Sequence, residues 1–361
     1  MNTVEITSPM RSVPPSSFIP DTSSDPVHRL IAWWLLIVAF MVFAMVVLGG
    51  VTRLTESGLS MVEWRPVTGW LPPMSDSLWA ETFAKYRQFP EYQEKNLGMT
   101  LAEFKGIFWL EFLHRLWGRV IGLAFFLPFI FFLVKGWIRG RLVGHMITLL
   151  VLGALQGGMG WFMVKSGLVD QPDVSQYRLA AHLCLALLIY GYLIWVALSL
   201  RANGPMSSTL TTGVKRGSLW LMGLIFITAF SGALVAGLDA GLTYNTFPLM
   251  DGSLVPRGLL SMSPWYLNFF ESILTVQFDH RVLAITTFAS VTLMWFSARK
   301  SSLSVNQSRA VNFLFAMVFV QVGLGITTLL LVVPVSLGAL HQAGAVILLG
   351  CSVWTAHAFR N

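Results

Sequence analysis

Residues 30–51 read LIAWWLLIVAFMVFAMVVLGGV, a run without a single charged side chain. A helix needs about 20 consecutive apolar residues to cross the hydrocarbon core of a bilayer. Comparable runs recur along the chain, which is 55% hydrophobic and only 11% charged. Because backbone groups in lipid must be satisfied within their own segment, we predict an all-α polytopic membrane protein. Its eight transmembrane helices are predicted at 30–51, 112–134, 143–164, 179–200, 217–238, 281–298, 310–332 and 336–357.

The net charge is +7, and the basic and acidic residues lie in different loops. Three short connections are basic and contain no acid: Lys135, Arg139 and Arg141; Arg201, Lys215 and Arg216; Arg299, Lys300 and Arg309. Outside the N-terminal tail, the acidic residues lie in or beside the alternate loops. This asymmetry follows the positive-inside rule and predicts that both termini are cytoplasmic. Membrane lipid is therefore the predicted surroundings, and the basic charge does not indicate a nucleic-acid partner.

The chain also repeats itself. The segment Glu111–Arg115 resembles Gln277–Arg281, Gln156–Gly160 resembles Gln321–Gly325, His182 corresponds to His341, and Glu56–Ser60 resembles Asp239–Thr243. Since each repeat holds four spans, we predict two tandem four-helix bundles related by a pseudo-two-fold axis along the membrane normal. The predicted units are a flexible cytoplasmic tail at 1–29, an N-terminal bundle at 30–200 with a long periplasmic loop at 53–111, a cytoplasmic linker at 201–216 and a C-terminal bundle at 217–358.

Four histidines lie near the outer ends of four spans: His114, His182, His280 and His341. An ionisable side chain at membrane depth is costly without a partner and marks a functional site by default. Neutral imidazole is a standard ligand of heme iron, so the two pairs predict two hemes. The alternative is that each ring is an isolated polar group bonded to a neighbouring helix. For the other three histidines, His28, His145 and His357, we expect an interfacial position and no metal.

Glu111 distinguishes the two halves. It precedes His114 by three residues and shares its helix face, whereas the second half has Gln277 at the equivalent place. A carboxylate in a low-dielectric site can exchange protons near neutrality. We therefore expect the N-terminal site to do chemistry and the C-terminal site to move electrons. The alternative is an interfacial anion paired with Arg115.

Further polar residues are candidates for supporting roles. Arginines cluster near the outer helix ends and are candidates for contacts with heme propionates, or with lipid headgroups: Arg115, Arg119, Arg178 and Arg281. Gln156 and Gln321 are expected either to donate hydrogen bonds into the sites or to join helices. A di-iron centre would need several more inward carboxylates than the spans contain. Cys184 and Cys351 both lie within spans, so no disulfide framework is indicated.

These residues together resemble the heme A synthases of bacteria and mitochondria. The resemblance covers roughly residues 30–357. It is carried by Gly49–Thr55, Glu111–Arg115, Arg178–His182, Asp279–Arg281 and Leu340–Gln342, and by the loop pattern Gly58-Leu59-Ser60 with Trp64, Pro66, Gly69 and Pro72. Some relatives carry a cysteine pair in the first outer loop, and residues 53–111 contain none. The chain thus resembles the cysteine-lacking class that is typical of proteobacteria and mitochondria.

The resemblance implies an oxidoreductase that hydroxylates heme O. Two successive hydroxylations would convert its C8 methyl group to the formyl group of heme A, the cofactor of cytochrome c oxidase. His114 and His182 would flank the substrate heme, and His280 and His341 would ligate a permanent heme b. Glu111 matches the glutamate of the family's catalytic site.

The resemblance also implies a setting. It places the protein in a bacterial inner membrane rather than the mitochondrial one. Its implied partners are heme O synthase, assembly factors of cytochrome c oxidase and an external electron donor such as a ferredoxin, and it allows a homo-oligomer.

Two other functions compete with this one. The first is a di-heme electron carrier that exchanges electrons with quinone, and the second is a transporter or assembly scaffold without pigment.

Overall fold

A computed structural model describes residues 25–64, 68–167, 174–202 and 210–360. Within these ranges the chain forms eleven α-helices and two short 3-10 turns. The helices are α1 (Pro26–Leu54), α2 (Asp76–Tyr86), α3 (Pro90–Glu94), α4 (Leu101–Val134), α5 (Arg141–Gly167), α6 (Gln176–Arg201), α7 (Thr212–Gly237), α8 (Asn268–Glu271), α9 (Ile273–Ala298), α10 (Val305–Leu330) and α11 (Val335–Phe359). Eight of them are long and apolar enough to cross a membrane, which confirms the predicted fold class. Most of the predicted tail, residues 203–209 of the predicted linker and Pro66 lie outside the described residues.

Two helices start well before the predicted spans. The helix α4 begins at Leu101 because Thr100 and Glu103 form a reciprocal capping box, in which the Thr100 N–H donates to the Glu103 carboxylate at 2.7 Å. In α9 the Ser272 side chain caps a helix that begins at Ile273. Hydropathy predicts where a helix enters lipid, but capping decides where it begins. Glu111 therefore lies inside a helix rather than at the end of a loop.

The eight long helices pack in two similar rings. In the first half α1 packs on α4 and α6, and α5 packs on α4 and α6. The second half repeats this order with α7, α9, α10 and α11. The halves meet where α6 packs on α7, where α1 packs on α11, and where α6 packs on α11. Exchanging the halves leaves this pattern of neighbours unchanged, which is consistent with the predicted pseudo-two-fold relation.

The repeat extends to the loops that follow α1 and α7. Glu56 and Asp239 both adopt the left-handed conformation, with φ of 50° and 49°, and so turn the chain out of the helix in the same way. The Arg53 guanidinium donates to the Asp239 carboxylate at 3.1 Å and thereby connects the end of α1 to the end of α7. A surface ion pair of this kind contributes only about 0–1 kcal/mol. The Arg53–Asp239 ion pair instead aligns the outer ends of the two halves.

Small residues bring the helices close together. Lipid tails are as apolar as leucine, so helices in a bilayer associate through packing and interhelical hydrogen bonds. On the side of α1 that meets α11, Gly50 leaves room for the Gln342 amide, whose Nε2 donates to the Val46 carbonyl at 2.9 Å. At the junction of the halves, a Cβ on Gly237 would lie 2.6 Å from the Cα of Gln176. Backbone touches backbone at that point.

The first outer loop is a small structure of its own. Helices α2 and α3 pack on the outer turns of α4 through a cluster of buried aromatic side chains: Trp79, Tyr86, Phe104, Phe108 and Phe112. We call this set the loop aromatic cluster. Aromatic pairs of this type add about 0.5–1.5 kcal/mol each beyond the area that they bury. The loop is thus fixed to the same helix that carries Glu111 and His114.

The close approach at Gly237 leads to a prediction about stability. We expect Gly237→Ala to lower the free energy of unfolding by about 1–3 kcal/mol, since the added methyl group must push the backbone of α6 away. Thermal unfolding of the detergent-solubilised protein measures this change. The matched control is Gly223→Ala in the same helix, because a Cβ there meets no atom within 4 Å. Equal melting temperatures for the two variants would show that the contact is not tight.

Candidate heme sites

Each of the four predicted histidines lies against a glycine of a neighbouring helix. His114 in α4 faces Gly49 in α1, and His280 in α9 faces Gly232 in α7. His182 in α6 faces Gly160 in α5, and His341 in α11 faces Gly325 in α10. A Cβ on these glycines would lie between 2.9 and 3.4 Å from the Cε1 atom of the ring. The fold therefore seats every imidazole directly on a helix backbone.

Three of these glycines, Gly49, Gly160 and Gly325, lie in the sequence motifs described above, but the motifs do not indicate that each glycine faces a histidine. Gly157 and Gly158 differ from Gly160, because a Cβ on either of them meets no atom within 4 Å. The signal that could have found the set is the repeat itself, since Gly49 and Gly232 precede similar loops in the two halves. A glycine is required wherever a ring approaches a backbone this closely.

The second-half pair has the geometry of two iron ligands. The ring centroids of His280 and His341 lie 6.4 Å apart, with the ring planes at 89°. An imidazole nitrogen ligates a metal at about 2 Å, so two rings on opposite sides of one ion have centroids about 6 Å apart. The Nδ1 atom of His280 is hydrogen-bonded to the Ser231 hydroxyl at 2.8 Å. The Nδ1 atom of His341 lies 3.2 Å from the Gln321 amide nitrogen. Both rings thus have Nδ1 engaged, which leaves Nε2 for a metal.

The first-half pair is similar but less fully engaged. The Gln156 amide nitrogen lies 3.3 Å from both ring nitrogens of His182, as Gln321 lies beside His341 in the other half. Among the described residues, the buried Nδ1 of His114 has no hydrogen-bond partner. A buried polar atom without a partner is unusual and indicates a site that receives a ligand.

Glu111 is buried and receives three donors. Its carboxylate accepts hydrogen bonds from the Ser60 hydroxyl at 2.7 Å and from the Met61 N–H at 2.6 Å. The Arg115 guanidinium forms an ion pair with its other oxygen. The ion pair expected by the alternative interpretation is therefore present, but it is only one of three interactions. Charge-assisted bonds of this kind stabilise a carboxylate anion and fix its orientation.

The equivalent amide reverses the direction of hydrogen bonding. Gln277 is buried at the same place in the second half, and its Nε2 donates to the carbonyls of Ala240 at 2.9 Å and Thr243 at 2.6 Å. In the first half the loop donates to the carboxylate, and in the second half the amide donates to the loop. Glu111 and Gln277 thus bind equivalent loops, but Glu111 accepts hydrogen bonds from its loop and Gln277 donates them. At this equivalent position, the first half has a group that can take up and release a proton and the second half does not.

Two of the four candidate arginines hold the outer loops. Arg115 donates to the carbonyls of Met61 at 2.8 Å and Glu63 at 3.0 Å. Arg281 donates to the carbonyls of Tyr244 at 2.6 Å and Thr246 at 2.9 Å. Guanidinium is suited to this task because it presents several donors in a rigid plane.

The other two arginines lie over aromatic rings. Arg119 lies 5.8 Å from the centroid of the Trp70 ring, and Arg178 lies 4.6 Å from that of Phe162. Contact with a heme propionate stays a prediction for all four arginines.

The remaining histidines have local partners. His28 lies 3.8 Å from the Asp25 carboxylate, and the Nδ1 atom of His145 is bonded to the Tyr192 hydroxyl at 2.6 Å. His357 is buried, with Nε2 3.1 Å from the Ser199 hydroxyl. His357 lies in the last turn of α11, where it packs between α11 and α6, and its interfacial role stays a prediction. Across the described ranges, no three His, Cys, Asp or Glu side chains are grouped to hold a metal ion, so the di-iron alternative has no ligand set there.

Comparison with known proteins identifies the family of the chain. The model of the cytochrome oxidase assembly protein family (COX15-CtaA) matches residues 32–353. A heme A synthase of Nitrosospira multiformis is 53% identical over 337 residues, which are 93% of this chain and 95% of that protein. A heme A synthase of Parvibaculum lavamentivorans is 53% identical over 92% of this chain and 95% of its own length. The heme A synthase of Bos taurus is 46% identical over 94% of this chain and 84% of its own length. The chain belongs to the cytochrome oxidase assembly protein family.

Proposed function

We propose that this protein is a heme A synthase, an oxidoreductase that converts the C8 methyl group of heme O to the formyl group of heme A. The observation that carries the proposal is the combination of four glycine-backed imidazoles with a buried carboxylate, Glu111, at the position where the second half has Gln277. The name of relatives about half identical over nearly the whole chain supports the same activity. A di-heme electron carrier would account for the imidazoles but would give no reason for the difference between Glu111 and Gln277.

The two halves have different tasks in this proposal. His114 and His182 bind the substrate heme, and His280 and His341 hold a resident heme b. The residues fit such a group, since each ring is seated on a glycine and His280 and His341 lie at the separation that one metal ion requires. When bound, the heme iron supplies the redox chemistry that no protein side chain can provide.

The chain's own residues supply position, charge and shielding. The three donors to Glu111 hold its carboxylate in one orientation on the helix face of His114. Arg115 binds both this carboxylate and the loop carbonyls, so the first outer loop and the site form one unit. The loop aromatic cluster covers the outer turns of α4 and excludes water from the site. A carboxylate held in this way takes or gives a proton without reorganising its surroundings.

The proposal includes a cellular setting. The basic connections place both termini in the cytoplasm, and the membrane is the inner membrane of a bacterium. Electrons come from an external donor such as a ferredoxin and pass through the heme b. Heme O synthase supplies the substrate, and assembly factors of cytochrome c oxidase take up the product. A homo-oligomer is compatible with this arrangement.

Pigment analysis tests the function directly. We expect acid–acetone extracts of the purified protein to contain heme A or hydroxylated heme O together with protoheme, because the substrate and the resident heme occupy different halves. Chromatography and mass spectrometry of the extracted hemes measure this. Protoheme as the sole pigment would favour the electron carrier, and a colourless protein would favour a transporter or scaffold.

The role of Glu111 is tested by Glu111→Gln, which places in the first half the amide that the second half already has. We expect heme A formation to fall by about 100-fold or more, which is the range for loss of a proton-transferring group. The optical spectrum of the heme b should not change. The control is Glu94→Gln, which makes the same exchange at an exposed position of the first outer loop and should keep the wild-type activity. Normal heme A formation by Glu111→Gln would remove Glu111 from the chemistry.

The glycine seats give a prediction that does not depend on turnover. In Gly325→Ala, the new methyl group would lie 2.9 Å from the Cε1 atom of His341 and must displace the ring. We expect the low-spin signal of the resident heme to weaken or shift in optical and electron paramagnetic resonance spectra. Gly323→Ala is the matched control in the same helix, since a Cβ there meets no atom within 4 Å. Identical heme spectra for both variants would contradict the proposed ligand pair.

A further inference from the structure

A second carboxyl group is buried in the first outer loop and is not used by the mechanism above. Glu91 lies in α3 and is only 3% exposed. It adjoins the loop aromatic cluster through Tyr86, which is fully buried. Among the described residues, the Oε2 atom of Glu91 has no hydrogen-bond partner. Burying a carboxylate that has one oxygen without a partner is unfavourable, so this residue has a strong physical reason to carry a proton.

The surroundings of Glu91 lead in two directions. Towards the solution, Lys95 lies 3.7 Å from Glu56, and both of these side chains are partly exposed. Tyr86 is hydrogen-bonded to Glu91 and accepts a bond from the Asn96 amide at 2.8 Å. Towards the membrane, Tyr86 belongs to the loop aromatic cluster, against which Met61 packs, and the Met61 N–H donates to Glu111. Glu91 is thus connected through Tyr86 to the part of the loop that binds the carboxylate of the first heme site.

The charges around Glu91 set its protonation. The pKa of Glu91 is raised to about 8, mainly by burial. The negative charges of Glu111 and Glu56 contribute to this rise. The hydrogen bond from Tyr86 and the positive charge of Lys95 act in the opposite direction. Burial and the neighbouring Glu91 also raise the pKa of Tyr86, so this hydroxyl keeps its proton. At neutral pH, Glu91 is mostly a carboxylic acid, and it loses its proton as the pH rises through about 8.

We propose that Glu91 is a proton-relay residue that passes protons between the solution at the outer face and Glu111. The proposal rests on the proposed function, because that reaction consumes protons. With dioxygen as the oxidant, each hydroxylation breaks one methyl C–H bond and the O–O bond and forms one C–O bond. The second oxygen atom leaves as water after taking up two protons and two electrons from the external donor. Glu91 gives up its proton towards Glu111 and is reprotonated from the solution.

Two buried hydroxyl groups lie in the part of the loop that binds Glu111. Ser57 and Ser60 are both fully buried. Ser60 donates to Glu111, and the Ser57 hydroxyl lies 2.8 Å from that of Thr55. Hydroxyl groups donate and accept at once, so they can carry a proton between acids. The second half has no counterpart of this arrangement in its described residues, because Gln277 there cannot accept a proton.

The test uses the full-length protein in detergent, with Glu91→Gln compared with Glu94→Gln. Glu94 lies in the same short helix and is exposed, so its variant controls for the loss of one charge. Infrared difference spectra give the first measurement. We expect the C=O stretch of a protonated carboxylic acid to disappear with a midpoint near pH 8, in the wild type and in Glu94→Gln, and to be missing in Glu91→Gln. A wild type without such a titrating band would overturn the relay.

The second measurement is the rate of heme A formation as a function of pH. We expect Glu91→Gln to lower kcat by about 10-fold or more while heme content stays normal. Glu91→Asp should restore part of the rate, because a carboxyl group is again present. A wild-type rate and pH profile in Glu91→Gln would overturn the relay alone. A wild type that forms no heme A would overturn the proposed function and the relay with it. If Glu91→Gln does not fold, Glu91→Asp and the infrared titration of the wild type decide.

Discussion

The structure depends on how an ionisable ring can be accommodated inside a membrane protein. An imidazole at membrane depth needs both a partner for its nitrogens and room for its ring. In this chain the room comes from a glycine on the adjacent helix, repeated four times, and the helices meet closely only because those positions lack a side chain. In the second half, polar side chains beside His280 and His341 then orient the two rings by hydrogen bonding to Nδ1. What remains is a pair of Nε2 atoms that a metal ion between them would satisfy.

The difference between the halves arises from one pair of side chains of nearly identical shape. Glu111 and Gln277 occupy the same place and both bind the loop that follows the first helix of their half. Exchange of a carboxylate for an amide reverses every one of those hydrogen bonds. The loop must therefore present donors in the first half and carbonyl oxygens in the second. In this duplicated scaffold, the equivalent position is thus ionisable in one half and neutral in the other.

Much of this could be predicted from the sequence. The eight spans followed from hydropathy, and the fold class is confirmed, because the lipid leaves a helix few alternatives. The repeat predicted that Glu56 and Asp239 occupy equivalent positions, and both adopt the same left-handed turn. The positions of the four histidines on their helices followed from the same repeat, although their binding of heme stays a prediction.

Other features required the structure for physical reasons. The start of α4 at Leu101 is set by the Thr100–Glu103 capping box, which a hydropathy window does not register. The burial of His357 depends on how α11 rotates towards α6, and that rotation is decided by packing across the two halves. Glu91 looked like an ordinary acid of a polar loop. Its burial becomes evident only when α2 and α3 fold onto α4.

The central claim is that the imidazole pairs exist to hold iron porphyrin. Electron paramagnetic resonance of the oxidised, purified protein, combined with iron analysis, tests this most directly. The account predicts at least one low-spin heme per chain with two imidazole ligands, and loss of that signal in His280→Ala. A correctly folded and active protein that contains no iron would contradict it.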